Sequence, residues 1–203
     1  MKYSFLFILL ILVSGCASTT LKNQSGVDRK QLLLMPQSMV LGMASDSYRS
    51  ALQEASKKNK LNVDPFQVNR VKRISNRLIA NTSYFKPEAS QWPWEVNVQE
   101  SDEVNAYCMP GGKIMVYSGL IRKLNATDDE LAAVIGHEIS HALREHGRER
   151  MSTAAVQQLG LIGFAAYISN TNNRNRTNAT MQAVSLGTTL FFALPNSRTQ
   201  ERG

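Results

Sequence analysis

The spacing of hydrophobic residues changes several times along this chain, and each change predicts an element. An unbroken apolar run covers 5–13, and a polar stretch covers 18–29. Between 35 and 58, Met39, Met43, Tyr48, Leu52 and Ala55 recur at helical spacing, which predicts one or two helices with methionines filling core. Asp64 and Pro65 give a helix start, proline at the first helical position being preformed for the turn. Val68, Val71, Ile74, Leu78 and Ile79 then form a stripe that Arg70, Lys72, Arg73 and Arg77 largely avoid. Residues 84–93, with two prolines and no period, read as a loop.

From 94 the period drops to two. Trp94, Val96 and Val98 fall on one face and Glu95, Asn97 and Gln99 on the other, the pattern of a half-buried strand. Further strands are expected at 106–109 and 113–118, separated by Pro110-Gly111-Gly112, with a short helix or turn at 120–124. Thr127 followed by Glu130 is a capping box, so the next helix begins there. Leu131, Val134, Ile135, Ile139 and Ala142 supply its apolar surface, and Glu145 with 148–150 predicts a polar end leaving the core. Residues 154–168 and 181–193 read as apolar core helices, both short of the roughly 20 residues that span a bilayer. The Asn-, Arg- and Thr-rich stretch 170–178 between them reads as a loop.

The helix after Thr127 carries the candidate chemistry. His137, Glu138 and His141 make an H-E-x-x-H. Residues four apart lie about 40° apart around a helix and about one turn apart along it, so both imidazoles can converge on one tetrahedral metal. Glu138 then stands where a carboxylate can take the proton of a water attacking a peptide carbonyl. All three histidines of the chain, His137, His141 and His146, fall in this one window, which favours a metal over a chance surface pair.

A catalytic zinc needs a third protein ligand and an open position. Arg144 and Gly147 occupy the places where a metzincin has Gly and His, which excludes that class. On a continuing helix His146 lies about 140° around from His141 and points away, and Glu145 is a turn too far unless the helix breaks. Residues 151–200 contain no Asp or Glu, so Glu201 is the one candidate if the ligand is a carboxylate from a later helix.

The 203 residues, 43% hydrophobic and 19% charged, describe one folded domain. Lys2, the apolar run and Val13-Ser14-Gly15 before Cys16 have the form of a lipoprotein signal. The expectation is a signal peptide at 1–15, lipid on Cys16 and a tether at 16–30. Ala17 after the cysteine points to a periplasmic, outer-membrane-anchored protein. Cys108 is then the one remaining thiol, a packed apolar residue rather than a nucleophile, and no intramolecular disulfide forms. Loss of Lys2 with the signal takes the net charge from +7 to +6, a balance that suits a surface near anionic lipid, and no interleaving of basic and aromatic residues suggests nucleic acid.

Four stretches, taken together, resemble metallopeptidase family 48. They are Asn105-Ala106-Tyr107-Cys108-Met109-Pro110-Gly111-Gly112, Val116-Tyr117-Ser118-Gly119-Leu120, the H-E-I-S-H itself, and Leu194-Pro195-Asn196-Ser197-Arg198-Thr199-Gln200-Glu201. The resemblance implies an α+β, mainly helical zincin-like domain at 31–203, with a small sheet next to the metal helix. It also implies one zinc per chain on His137, His141 and Glu201, and Glu138 as general base. An edge strand would hold protein or peptide substrate, here Lys113, Ile114, Met115, Val116 and Tyr117. The implied activity is hydrolysis of misfolded or misassembled envelope proteins. The family's last motif continues as E-x-E-A-D, whereas Arg202 and Gly203 follow Glu201 here. On that comparison the domain is expected to be C-terminally incomplete, and the alternative is a weak or inactive homologue that binds peptides as a chaperone-like lipoprotein.

Overall fold

The structure, a computed structural model, describes residues 16–20 and 30–169. Two units divide the chain, Met1–Glu149 and Arg150–Gly203. The first contains the helices and the sheet, and the described part of the second is the remainder of one helix that ends at Ser169. The expected helix 181–193, loop 170–178 and Glu201 lie outside the described residues, as does the signal at 1–15. Among the described residues no helix is long and apolar enough to cross a membrane.

Of the stretch read as a tether, the described residues begin in a ladder. Strand β1 (Cys16–Ala17) pairs antiparallel with β2 (Gln31–Leu32), and Thr19 Oγ1 donates to Gln31 Oε1 at 2.8 Å. The first long helix, α1 (Gln37–Lys57), is continuous and buries Val40, Ala44, Tyr48 and Ala55. Met39 and Met43, expected in the core, are each 50% exposed. The buried stripe runs one residue further along, through Val40, Ala44 and Tyr48, on a helix that contacts β5.

Helix α2 (Pro65–Ile79) starts as expected, with Asp64 Oδ1 accepting from the amides of Phe66 at 2.9 Å and Gln67 at 3.3 Å. The expected loop at 84–93 is instead wound into α3 (Thr82–Phe85) and a 3-10 turn (Pro87–Gln91). Segments this short leave no period in the sequence; a hydroxyl bond from Thr82 to Ile79 O and a proline at the head of the turn set them.

Strands β3 (Glu95–Gln99), β4 (Ala106–Met109) and β5 (Lys113–Tyr117) form one sheet in the order β3-β5-β4. β5 runs parallel to β3 and antiparallel to β4. Gly111 (φ 83°) and Gly112 (φ 79°) make the β4–β5 turn in left-handed backbone that other residues adopt at a cost. Helix α4 (Ser118–Lys123) follows directly.

Both faces of this sheet are covered. Val96, Val98, Ala106, Ile114 and Val116 pack with the buried residues of α2 and of α5 (Asp128–Leu143) in one core, against which Cys108 also lies. Across the sheet, α1 covers Met115 and Asn97, which are 0% and 8% exposed. The alternation placed Asn97 on a polar face; the second layer buries it. Its Nδ2 donates to the Tyr48 hydroxyl at 3.0 Å, and that hydroxyl donates to Ile114 O at 2.6 Å. A buried amide and phenol satisfied by each other avoid the cost of an unpaired polar group. Burial raises the Tyr48 phenol above its ordinary value, so it stays a neutral donor.

Candidate metal centre

Helix α5 is anchored at its first turn. Thr127 Oγ1 accepts from the Glu130 amide at 3.3 Å and Glu130 Oε2 accepts from the Thr127 amide at 2.8 Å, closing the capping box. Asp128, Asp129 and Glu130 bring negative charge to the positive end of the helix. Arg70 and Arg73 of α2 grip Asp128 at 2.6 and 2.9 Å, which fixes α5 against α2. Leu131, Ile135, Ile139, Ala142 and Leu143 hold one face in the core, so His137 is left exposed and His141 and Glu138 half-buried.

The two imidazoles converge as the spacing predicts, with His137 Nε2 and His141 Nε2 2.9 Å apart. Two nitrogens on one tetrahedral zinc stand about 3.3–3.4 Å apart, given bonds of about 2.0–2.1 Å. The pair therefore needs to open by about half an ångström to hold the ion, and two neutral imidazoles suit zinc. Among the described residues no group of three or more His, Cys, Asp or Glu could hold a metal, so what is described is a two-histidine half-site.

His146 was expected to point away, and the structure corrects this. α5 ends at Leu143, Glu145 takes a left-handed backbone (φ 51°), and α6 (His146–Ser169) starts afresh. The break turns His146 back, with its Nδ1 2.6 Å from His141 Nδ1. For His141 to offer a lone pair at Nε2 its proton must sit on Nδ1, and His146 Nδ1 is placed to accept it. A metal-binding histidine is commonly oriented in this way through its other nitrogen. The break also overturns the expected polar exit, since Glu145 and His146 are 7% and 6% exposed.

The proposed substrate strand needs correction too. Lys113, Ile114, Met115, Val116 and Tyr117 form the central strand, hydrogen-bonded on both sides, and its three middle residues are buried. No edge is free there for a peptide. Of the two edge strands, β3 and β4, it is β4 that packs against α5. Tyr117 N donates to Asn105 O at 3.0 Å, and in an antiparallel ladder bonded pairs alternate. Ala106 and Cys108 therefore turn their backbone groups away from β5. Sequence alone gave three strands without their order, and only the order distinguishes β4 from β5.

Burial pushes the Glu138 carboxyl above the usual carboxylate range, partly opposed by His137. Burial, with the Glu138 charge nearby, likewise raises the Cys108 thiol, which agrees with its reading as a packed residue; β4, which carries it, packs on the helix of Glu138.

The sequence pattern of peptidase family M48 matches residues 65–203, from the first residue of α2 onward. The chain belongs to this family. Within the M48 domain, α2, the sheet and the H-E-x-x-H helix are therefore the family's own framework. The chain is 36% identical over 111 residues to the mitochondrial metalloendopeptidase OMA1 of Arabidopsis thaliana, covering 53% of this chain and 20% of that protein. It is 29% identical over 104 residues to the beta-barrel assembly-enhancing protease of Yersinia pestis, covering 49% of this chain and 20% of the relative. With the metalloprotease LoiP of Escherichia coli it shares 42% over 62 residues, covering 30% and 24%. The matched part of this chain thus spans about a fifth to a quarter of each of these relatives. No solved structure matches.

Proposed function

We propose that this M48 chain is a zinc metalloendopeptidase acting on misfolded or misassembled proteins of the cell envelope. The observation that carries the reading is the convergence of His137 Nε2 and His141 Nε2 at 2.9 Å, with Glu138 beside them and the β4 edge packed on the same helix. His137 and His141 hold the metal, and Glu201, outside the described residues, is the proposed third ligand. When bound, zinc would polarise a scissile carbonyl and lower the pKa of water.

Glu138 takes the proton of the attacking water on its carboxylate and returns it to the leaving amine. One carboxyl beside the attacking water can serve in both directions, first as base and then as acid. An extended peptide adds to β4 through the outward backbone groups of Ala106 and Cys108, which selects chains able to unfold locally. The envelope setting rests on Cys16 and the apolar run before it, read as a lipid anchor in the periplasmic leaflet of the outer membrane. A relative named for β-barrel assembly supports the same setting.

The test is zinc content and casein cleavage by the purified chain. Near-stoichiometric zinc is expected, lost in His137→Ala and reduced in Glu201→Ala. Glu138→Gln is expected to keep the metal and lose turnover. A chain that binds no zinc would sink this reading and leave a peptide-binding homologue.

A further inference from the structure

The break between α5 and α6 is made by a glutamate, where a glycine or asparagine is the ordinary choice. Glu145 is held there by a buried ion cluster. Its Oε1 accepts from Lys86 Nζ at 2.7 Å and its Oε2 from Arg148 Nη1 at 2.9 Å. Lys86, itself 5% exposed, also donates to Thr19 O at 3.2 Å, and Arg148 Nε donates to Met35 O at 2.6 Å. Gln31 Nε2 closes the same region by donating to Arg144 O at 2.8 Å and Glu149 Oε2 at 3.0 Å.

Buried ion clusters of this kind add little stability that a well-packed apolar plug could not match, and their best-attested use is to fix one geometry. The geometry fixed here is the one that brings His146 to His141. We propose that Glu145 is a positioning residue of the metal centre, its carboxylate locking through Lys86 and Arg148 the left-handed break that seats His146 Nδ1 against His141 Nδ1. The metal-facing nitrogen of His141 is then set by a carboxylate that does not bind the metal. This rests on the zinc reading given above, and it extends that reading to a residue acting only through another.

The experiment uses the 203-residue chain labelled with ¹⁵N-histidine, whose three histidines make assignment simple. In the metal-free chain the ring-nitrogen spectrum is expected to show His141 fixed with its proton on Nδ1. In Glu145→Gln that tautomer gives way to a mixture. Zinc affinity, measured by chelator competition, is expected to fall about 10- to 100-fold in both Glu145→Gln and His146→Ala. The double variant is expected to be no weaker than His146→Ala alone, because one substitution acts through the other.

Glu145→Asn is the second variant, since asparagine tolerates left-handed backbone but is too short to span both cations. It is expected to fold and to show the same losses. An unchanged His141 tautomer and zinc affinity in both variants would overturn the proposal, as would losses that multiply in the double variant. The two readings fail separately. A parent chain without zinc overturns the metal centre, whereas a zinc-binding parent whose His141 tautomer ignores Glu145 overturns only the lock.

Discussion

Three glycine-to-alanine substitutions are expected to move stability in different directions. A Cβ on Gly112 would lie 2.6 Å from two atoms of the Trp94 indole, on a backbone already at φ 79°. The backbone alone costs about 1–2 kcal/mol for an L-residue, and forcing extra volume into packed surroundings adds about 1–3 kcal/mol. Gly112→Ala should therefore lose about 2–5 kcal/mol. Gly111→Ala shares the left-handed backbone but meets only Leu41 Cδ2 at 3.3 Å, a flexible chain end, so about 1–2 kcal/mol is expected. Gly42 is exposed inside α1 with nothing within 4 Å of an added Cβ, and alanine there should stabilise by about 0.5–1 kcal/mol. Urea unfolding at constant slope measures all three. A Gly112→Ala midpoint at or above that of Gly42→Ala would refute the reasoning, and with it the tight indole contact that sets the β4–β5 turn.

Other outcomes follow from the same geometry. Thr127→Ala removes the cap of the metal-site helix and should cost about 0.5–2 kcal/mol in the same urea assay, with amide exchange fastest in the first turn of α5. Ile135→Ala, in a fully buried position two residues before His137, should lose about 2–5 kcal/mol by calorimetry. Burial pushes the Glu145 carboxyl up, but its bonds from Arg148 and Lys86 outweigh that and hold it below its ordinary value. Its contribution is thus present above the unfolded glutamate pKa of about 4.3 and is lost as pH falls from there through the depressed folded value. Urea midpoints measured down this range should fall more steeply for the parent than for Glu145→Gln, and parallel slopes would contradict the ion cluster. Cys108, with its raised thiol, should react with iodoacetamide at neutral pH far more slowly than a free cysteine in urea-unfolded chain, as peptide mass mapping would reveal.

The sequence by itself determined what depends on neighbours a few residues away. Asp64-Pro65 and Thr127–Glu130 are read correctly because a cap is closed by groups within three positions. His137 and His141 are brought together by the turn of a single helix, so their convergence needed no tertiary information. The hairpin at Pro110-Gly111-Gly112 was legible for the same reason. Tertiary structure decided the rest. β5 became central because β3, separated from it by a whole hairpin arm, pairs on its far side, and this left β4, with Ala106 and Cys108, as the edge strand beside α5. Asn97 was buried by α1, an element that its own strand's alternation cannot register. The break at Glu145 depends on Lys86, a residue 59 positions away, so helical geometry extrapolated past Leu143 put His146 on the wrong side. Local chemistry wrote the two metal-facing imidazoles into the helix; a long-range ion cluster decided what stands behind them.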